Sequence, residues 1–314
     1  MQSNIELLKK PLPPHSKPWV SIVILNYNGG SYIEKCIESV LESDYPSFEV
    51  IVVDNASDDG SMELTLPYKD KIATIINPKN YFFAKGCNQG IKIARGEIIV
   101  LLNIDTKVRS NWLSELVKPL IEEPDVAITG SKLLYGDEIH IQHAGGEVNP
   151  IGLSRHFGYE EEDKSQWDKP MDVGYVTGAS FAFKKSFLDQ LEGKLDELFP
   201  LYFDDTDLCW HAHRLGYKVR YVPDSVAIHY ESFGTTRFSY RFLYHFHQGR
   251  WRYLLKNYPW KSLFTAILKE EWKWFWGAGR FGGEWRPILH AYLTIPFILP
   301  LIIQRRILRK LKEK

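Results

Sequence analysis

Three short apolar runs, each crowded with β-branched residues and each stopped by a polar turn sequence, limit what this chain can fold into more than any other feature. Val20-Ser21-Ile22-Val23-Ile24-Leu25 stops at Asn26-Tyr27-Asn28-Gly29-Gly30. Val50-Ile51-Val52-Val53 runs into Asp54-Asn55-Ala56-Ser57-Asp58-Asp59-Gly60, and Ile98-Ile99-Val100-Leu101-Leu102 ends at Asn103-Ile104-Asp105. Runs of this length and composition read as strands covered on both faces, as in a parallel sheet. After the first, Ser31 reads as the cap of a helix whose Ile33, Ile37, Val40 and Leu41 share one face. Strand, turn and helix in alternation predict an α/β fold with a mostly parallel central sheet, in which ligands sit beyond the carboxyl ends of the strands. The polar residues just named all fall at those ends.

A second block, residues 137–230, alternates Gly-rich loops with short apolar runs, among them Gly174-Tyr175-Val176-Thr177-Gly178-Ala179-Ser180 and a strand-like Val219-Arg220-Tyr221-Val222 that leads to His229. Beyond Phe233 the character changes, because six of the ten tryptophans (Trp251, Trp260, Trp272, Trp274, Trp276, Trp285) lie in this last part. The expected division is a tether over 1–18, a catalytic domain over 19–232 with halves 19–106 and 107–232, and an α-helical, Trp-rich region over 233–314. The 314 residues carry 39 Lys+Arg against 39 Asp+Glu, so no global field draws the chain to nucleic acid. Cys36, Cys87 and Cys209 are odd in number and far apart, which suits reduced, buried thiols and gives no zinc-type spacing. No apolar leader precedes Pro18, and Lys9-Lys10-Pro11-Leu12-Pro13-Pro14 reads as extended chain, so a cytoplasmic protein is expected.

The acidic residues carry the chemistry. Asp54, at a strand end, can accept a hydrogen bond from a base or ribose, or cap the following helix. Asp105 sits on the lip of a central strand, where a hard divalent ion is commonly held by one or two carboxylates plus phosphate oxygens; an N-cap for residues 106–113 is the competing reading. Asp204, Asp205 and Asp207 crowd three acids into four positions ahead of the helical pattern Leu208, Ala212, Leu215. Mutual repulsion favours a helix N-terminus or a functional site for such a cluster. A carboxylate there, ionised at neutral pH, can take the proton from an attacking hydroxyl. His229 is open to a metal, a phosphate or a structural role.

Four stretches in order resemble the family-2 glycosyltransferases, and in particular their rhamnosyltransferase-like branch: residues 20–30 with 52–60, residues 80–90 (Asn80-Tyr81-Phe82-Phe83-Ala84-Lys85-Gly86-Cys87-Asn88-Gln89-Gly90), residues 101–106, and residues 203–216 with His229. The resemblance covers roughly residues 19–231. It implies a GT-A fold and inverting transfer of one sugar from a nucleoside diphosphate sugar, dTDP-rhamnose favoured, with Mg2+ or Mn2+, to a glycan or lipid-linked acceptor of cell-surface polysaccharide. Carried over, Asp54 is the nucleobase contact, with Asn26, Asn28, Asn55, Asn80, Asn88 and Asn103 as further donor contacts. Asp105 matches the last carboxylate of the Asp-x-Asp metal motif, His229 a metal- or diphosphate-side histidine, Asp205 the catalytic base and Asp204 its acidic partner. Two positions depart from the pattern: Asn103 replaces the first Asp, and His211 and His213 stand where Arg is common.

Residues 288–303 are strongly apolar but shorter than the roughly 20 residues of a spanning helix, and Pro296 and Pro300 interrupt them. The basic end that follows (Arg305, Arg306, Arg309, Lys310, Lys312, Lys314) suits docking on an anionic membrane at its cytoplasmic face. Packing on its own domain or on a homodimer partner is the alternative. His247-Gln248-Gly249-Arg250-Trp251 resembles the Gln-x-x-Arg-Trp motif of processive synthases with His in the Gln position. A non-catalytic sugar-binding scaffold of the same fold is the reading from another class. A nucleotidyltransferase is disfavoured, because the first loop carries neither Arg nor Lys.

Overall fold

In the computed structural model, residues 3–12, 16–191, 193–231, 239–266 and 285–312 are described, residues 266 and 310–312 by their backbone alone. They form two compact units. One comprises Met1–Glu147, His156–Glu197 and Leu208–Phe233; the other comprises Val148–Arg155, Leu198–Asp207 and Gly234–Lys314. This differs from a single break near residue 232, because two short excursions of the chain join the C-terminal helices. Trp272, Trp274, Trp276 and Lys314, on which part of the reading of the tail rested, lie outside the described residues.

The first unit is a mixed ten-stranded sheet with helices against it. β1 (Val20–Asn26), β2 (Phe48–Asp54), β3 (Ile72–Ile76) and β4 (Ile98–Asn103) run parallel in the order β3-β2-β1-β4. Their apolar residues are buried almost throughout, as strands covered on both faces require. The register places Asn26 opposite Asp54 and Leu25 opposite Asn103, so three polar residues meet at one carboxyl edge. After the short β5 (Thr106–Val108) and α4 (Trp112–Glu122), the chain adds β6 (Val126–Tyr135) and β7 (Ile141–His143). β8 (Gly146–Val148) and β9 (Ser154–His156) form a separate small ribbon; β10 (Met171–Asp172) and β11 (Ser180–Lys184) return to the sheet. β11 lies antiparallel between β4 and β6. Beyond α5 (Lys185–Asp189) and α6 (Asp204–Arg214), β12 (Lys218–His229) runs parallel to β6 and antiparallel to β5, pairing His229 with Thr106. Its register slips between Val222 and Val226, where Pro223 has no N–H to give the ladder.

α2 (Tyr32–Leu41) buries Ile33, Cys36, Ile37 and Val40 along one face, as the spacing predicts. Ser31, however, makes no side-chain cap hydrogen bond and is itself helical; Tyr32 N–H donates to the Gly29 carbonyl instead. Asp105 does not cap a helix either, since β5 follows it and α4 starts only at Trp112. The N-terminal segment is more than an extended tether. α1 (Glu6–Lys9) is one helical turn, Asn4 pairs with Thr74 on β3, and Arg95 Nη1 donates to the carbonyls of Leu8 and Lys10.

The second unit is built on α7 (Tyr240–Asn257), whose Leu243, His247, Trp251 and Leu254 form a buried stripe at helical spacing. The excursions pack on it: Phe203 meets Phe246 and Tyr253, and Arg252 Nη1 donates to Leu198 O. α8 (Trp260–Ala266), α9 (Trp285–Leu293) and α10 (Ile295–Lys312) follow. The break expected near Pro296 falls at Thr294. Pro296 then occupies the first turn of α10, where its missing N–H costs nothing, while Pro300 is accommodated inside the helix. Among the described residues no single helix is long and apolar enough to cross a membrane; α9 with Ile295–Arg309 meets that length and composition only as a pair bent by 53°.

α3 (Phe82–Ile93) shows why the glycines of residues 80–90 recur at helical spacing. A Cβ on Gly86 would stand 2.6 Å from Leu25 Cδ1, and one on Gly90 2.5 Å from Val23 Cγ1, so glycine alone lets the helix lie this close on β1. Gly90→Ala is therefore expected to destabilise the protein by about 1–3 kcal/mol through overpacking. A urea midpoint equal to that of the unsubstituted protein would contradict this close contact.

Candidate active site

The loops after β1 and β2 are held by one another. Asn26 Nδ2 donates to Asp54 Oδ1 (2.9 Å), Ser57 Oγ (3.0 Å) and Ser61 Oγ (2.9 Å), while its Oδ1 accepts from Gly29 N. Asp54 also accepts from Ser57 N and Ser57 Oγ. Asn28 Oδ1 takes the Asp58 N–H, and Asp59 takes those of Gly30 and Ser61. Asn28, Gly30, Ala56 and Gly60 all have positive φ, the tight backbone such interlocked turns demand. Asn26 and Asp54 are buried and engaged in shaping these loops. Asn55 is buried as well: its Nδ2 donates to Asn80 Oδ1 and Phe82 O, and its Oδ1 accepts from Asn77. Asn88, expected as a donor contact, clips α3 to a distant part of the chain, exchanging hydrogen bonds with Leu195 N and O.

At the end of β4 a tighter group forms. Pairing of β5 with β12 brings His229 beside Asn103 and Asp105: His229 Nε2 is 3.2 Å from Asp105 Oδ1 and 3.3 Å from Asn103 Nδ2. On the far side of the ring, Nδ1 lies 2.7 Å from Gln142 Oε1, on β7. A carbonyl oxygen there accepts from Nδ1 and orients the ring so that Nε2 faces Asp105. Nε2 and Asp105 Oδ1 thus stand 3.2 Å apart in a nearly buried site, where they can share a proton as an ion pair or serve as two ligands of one cation. The same spacing suits neighbouring ligands of one octahedral ion with bonds of about 2.1 Å. Among the described residues no cluster of three or more His, Cys, Asp or Glu could hold a metal, so the protein offers two ligands, and a bound ion would draw the rest from water and phosphate oxygens. Gln142 carried no signal in the sequence, since its role depends on a strand pairing made 87 residues from His229.

Asp204, Asp205 and Asp207 belong to the second unit, and the residues around Asp105 to the first. α6 starts abruptly: Tyr202 and Phe203 both have positive φ, at 62° and 67°, a strained entry for two aromatic residues. The three acids then diverge in role. Asp207 is buried and paired with Lys256 Nζ (2.5 Å) and Asn257 Nδ2 (2.7 Å) from the end of α7. Asp205 is half-buried and accepts from Thr206 N and Oγ1. Asp204 is buried, and burial, reinforced by the charges of Asp205 and Asp207, pushes its carboxyl well above the usual carboxylate range. Burial thus disfavours charge on Asp204 more than on the half-buried Asp205, which leaves Asp205 the better placed of the two to accept a proton. Lys256 and Asn257 could not be read from the sequence, because nothing at 49 and 50 residues' separation ties them to Asp207. Of the two histidines in the place of Arg, His213 Nε2 lies 3.1 Å from Gly174 O and His211 is buried.

The resemblance to processive synthases ends inside α7. Arg250 is fully buried, its Nε donating to Ile151 O and its Nη1 3.2 Å from His247 Nδ1. Burial, then the Arg250 charge, push the His247 imidazole down to about 3. Among the described contacts these side chains hold the second unit together.

Residues 21–191 match the family described as Glycosyl transferase family 2. An uncharacterized protein, y4gI, of Sinorhizobium fredii is 30% identical over 235 residues, 70% of this chain and 25% of that protein. The O-antigen biosynthesis protein RfbC of Myxococcus xanthus is 29% identical over 240 residues, 70% of this chain and 18% of its own length. The chain thus spans a quarter or less of these relatives. The solved structure of GalNAc-T7 with UDP, GalNAc and Mn2+ superposes with a TM-score of 0.61 at 16% identity, over 77% of this chain and 48% of that one. The fold is GT-A-like, as expected.

The raised Asp204 carboxyl has a consequence for stability. A group that holds its proton more tightly when folded than when unfolded loses stability as pH rises from its unfolded value, near 4, through its folded one. Asp204→Asn removes that loss. Its urea midpoint should therefore exceed that of the unsubstituted protein by a margin that grows from pH 4 to pH 8; parallel curves would show Asp204 to be ordinarily ionised.

Proposed function

The chain belongs to glycosyl transferase family 2, and we propose that it is an inverting, single-addition glycosyltransferase, using a nucleoside diphosphate sugar to glycosylate a hydroxyl in cell-surface polysaccharide synthesis. The observation that carries this reading is the Asp105–His229 pair, a carboxylate and an imidazole nitrogen 3.2 Å apart at the carboxyl edge of the sheet, with the ring oriented by Gln142. Asp105 and His229 would hold Mg2+ or Mn2+, which when bound supplies positive charge to the departing diphosphate. The loops after β1 and β2, interlocked through Asn26, Asp54 and Ser57, would seat the nucleoside, with Asn28, Asn55, Asn80 and Asn103 lining or shaping that seat.

Asp205 takes the proton from the acceptor hydroxyl as its oxygen attacks the anomeric carbon. The bond from that carbon to the diphosphate breaks, the diphosphate leaves with the electron pair, and the configuration inverts. Burial pushes the Asp204 carboxyl up and so disfavours a second negative charge beside the base. The bound UDP and Mn2+ of GalNAc-T7 and the O-antigen role in the name of RfbC support the donor class and the pathway class. dTDP-rhamnose is the donor favoured by the resemblance. A lipid-linked acceptor puts the chain at the cytoplasmic face of a membrane. Processive synthesis is disfavoured, because Arg250 and His247 are packed in the core of α7.

Asp205→Asn is expected to slow transfer by about 10²–10⁴-fold while leaving donor binding nearly intact. Turnover close to normal would move the base to another residue. Asp105→Ala should weaken Mn2+ and nucleoside diphosphate binding together, read by calorimetric titration of each in the presence of the other. Unchanged affinities would place the metal ligand elsewhere. A panel of nucleotide sugars in thermal shift identifies the donor, and donor hydrolysis without acceptor separates an enzyme from a sugar-binding scaffold.

A further inference from the structure

α10 is amphipathic the wrong way round for water. Its exposed face runs through Leu293 just before it, then Phe297, Leu301, Ile307 and Leu308, with Phe297 86% exposed and Gln304 the polar exception. Positions 297, 301, 304 and 308 follow one another by four, three and four residues, so they form a single stripe. Arg306 and Arg309, by contrast, turn inward. Arg306 Nη1 donates to the carbonyls of Leu255 (2.6 Å) and Tyr258 (2.8 Å), and Arg309 Nη1 to Asn257 Oδ1 (3.0 Å), so both close the carboxyl end of α7. This corrects the expectation that Arg306 and Arg309 reach for anionic headgroups; the tail packs on its own unit through them. A surface helix in water shows charges outward and apolar side chains inward.

A face this apolar needs a cover. Three features favour lipid. The α9–α10 pair has the length and composition of membrane-embedded chain, yet its 53° bend leaves no straight span, which suits lying in the interface rather than crossing it. Trp260, half exposed, lies beside Ile303 and Ile307 with the Arg306 guanidinium 4.5 Å above its ring, the amphipathic aromatic–cation pairing found at headgroup depth. The stripe offers one hydrogen-bonding side chain, Gln304, whereas a protein interface carries a hydrogen bond for every 100–200 Å² or so.

We propose that the outer face of α10, centred on Phe297 and Leu301, inserts into the acyl boundary of a membrane, so that attachment is apolar rather than electrostatic. It goes beyond the sugar chemistry and rests on the proposed function only in that a lipid-linked acceptor would lie at the same surface. Lys310, Lys312 and Lys314, close behind the stripe in sequence, add attraction to anionic lipid without being required.

The test is flotation of the full chain with vesicles of phosphatidylcholine alone, and of phosphatidylcholine with phosphatidylglycerol, at low and high salt. Binding to the neutral vesicles should persist at high salt, because screening acts on charges and not on apolar burial. Phe297→Asp with Leu301→Asp, both at exposed positions, should reduce binding by about 10-fold or more. In a second readout, Phe297→Cys carries an environment-sensitive dye; Cys36, Cys87 and Cys209 are buried and do not compete for it. Its emission should shift to the blue on adding neutral vesicles. Binding that needs anionic lipid and vanishes at high salt would overturn the proposal in favour of headgroup attraction. A soluble dimer dissociated by the same double substitution would overturn it in favour of a second copy, and no binding to any vesicle would end it. Donor binding and transfer to a short soluble acceptor are measured on the same samples. Their absence counts against the enzymatic reading alone.

Discussion

The parallel pairing of β1 with β2 and β4 fixes where every polar residue at the carboxyl edge of the sheet can stand. Asn26 faces Asp54 and Leu25 faces Asn103, so a shift of one residue in either pairing would turn each of these side chains into the opposite helical layer. The register is enforced by burial on both faces of the strands and by α3 lying against β1 at Gly86 and Gly90. A second pairing completes the arrangement: β12 along β5 sets His229 against Asp105. The chemistry proposed for this chain depends on these two backbone alignments before it depends on any side chain.

Much of this was legible in the sequence for a physical reason. Strands buried on both faces are written as continuous apolar runs, so the runs ending at Asn26, Asp54 and Asn103 announced both the sheet and its polar carboxyl edge. Asp105 stood out because an acid on the lip of a central strand is costly unless it meets a cation or donors, whereas His229 took a site role only through the family resemblance. The remainder depends on long-range contacts that leave no local trace. Gln142 orients His229 from a strand of three residues, and from the end of a helix about fifty positions away Lys256 neutralises Asp207 while Asn257 hydrogen-bonds it. Ser31 had the composition of a cap and none of its geometry, since the Gly29 carbonyl already served the first N–H of the helix.

The second unit shows the limit of reading charge from composition. Its basic tail looks like a surface, yet Arg306 and Arg309 are internal fasteners: Arg306 satisfies carbonyls left open at the end of α7, and Arg309 holds the Asn257 side chain there. The same helix end carries Lys256 and Asn257, which hold Asp207 one turn into α6. The buried ion pair gains its value from this surrounding set of hydrogen bonds; removing either partner alone would strand a charge in a site where water cannot reach it. Within this unit the setting of the acidic cluster and the packing of the C-terminal helix are one structure.

The central claim is that Asp105 and His229 together form the protein's half of a cation site completed by a nucleoside diphosphate. Nuclear magnetic resonance of the His229 imidazole tests it most directly, with Mn2+ as a paramagnetic probe. The account predicts that the ring signals of His229 broaden when substoichiometric Mn2+ and a nucleoside diphosphate are present together, and much less with Mn2+ alone. Ring signals of His229 that stay sharp while those of other histidines broaden would contradict it.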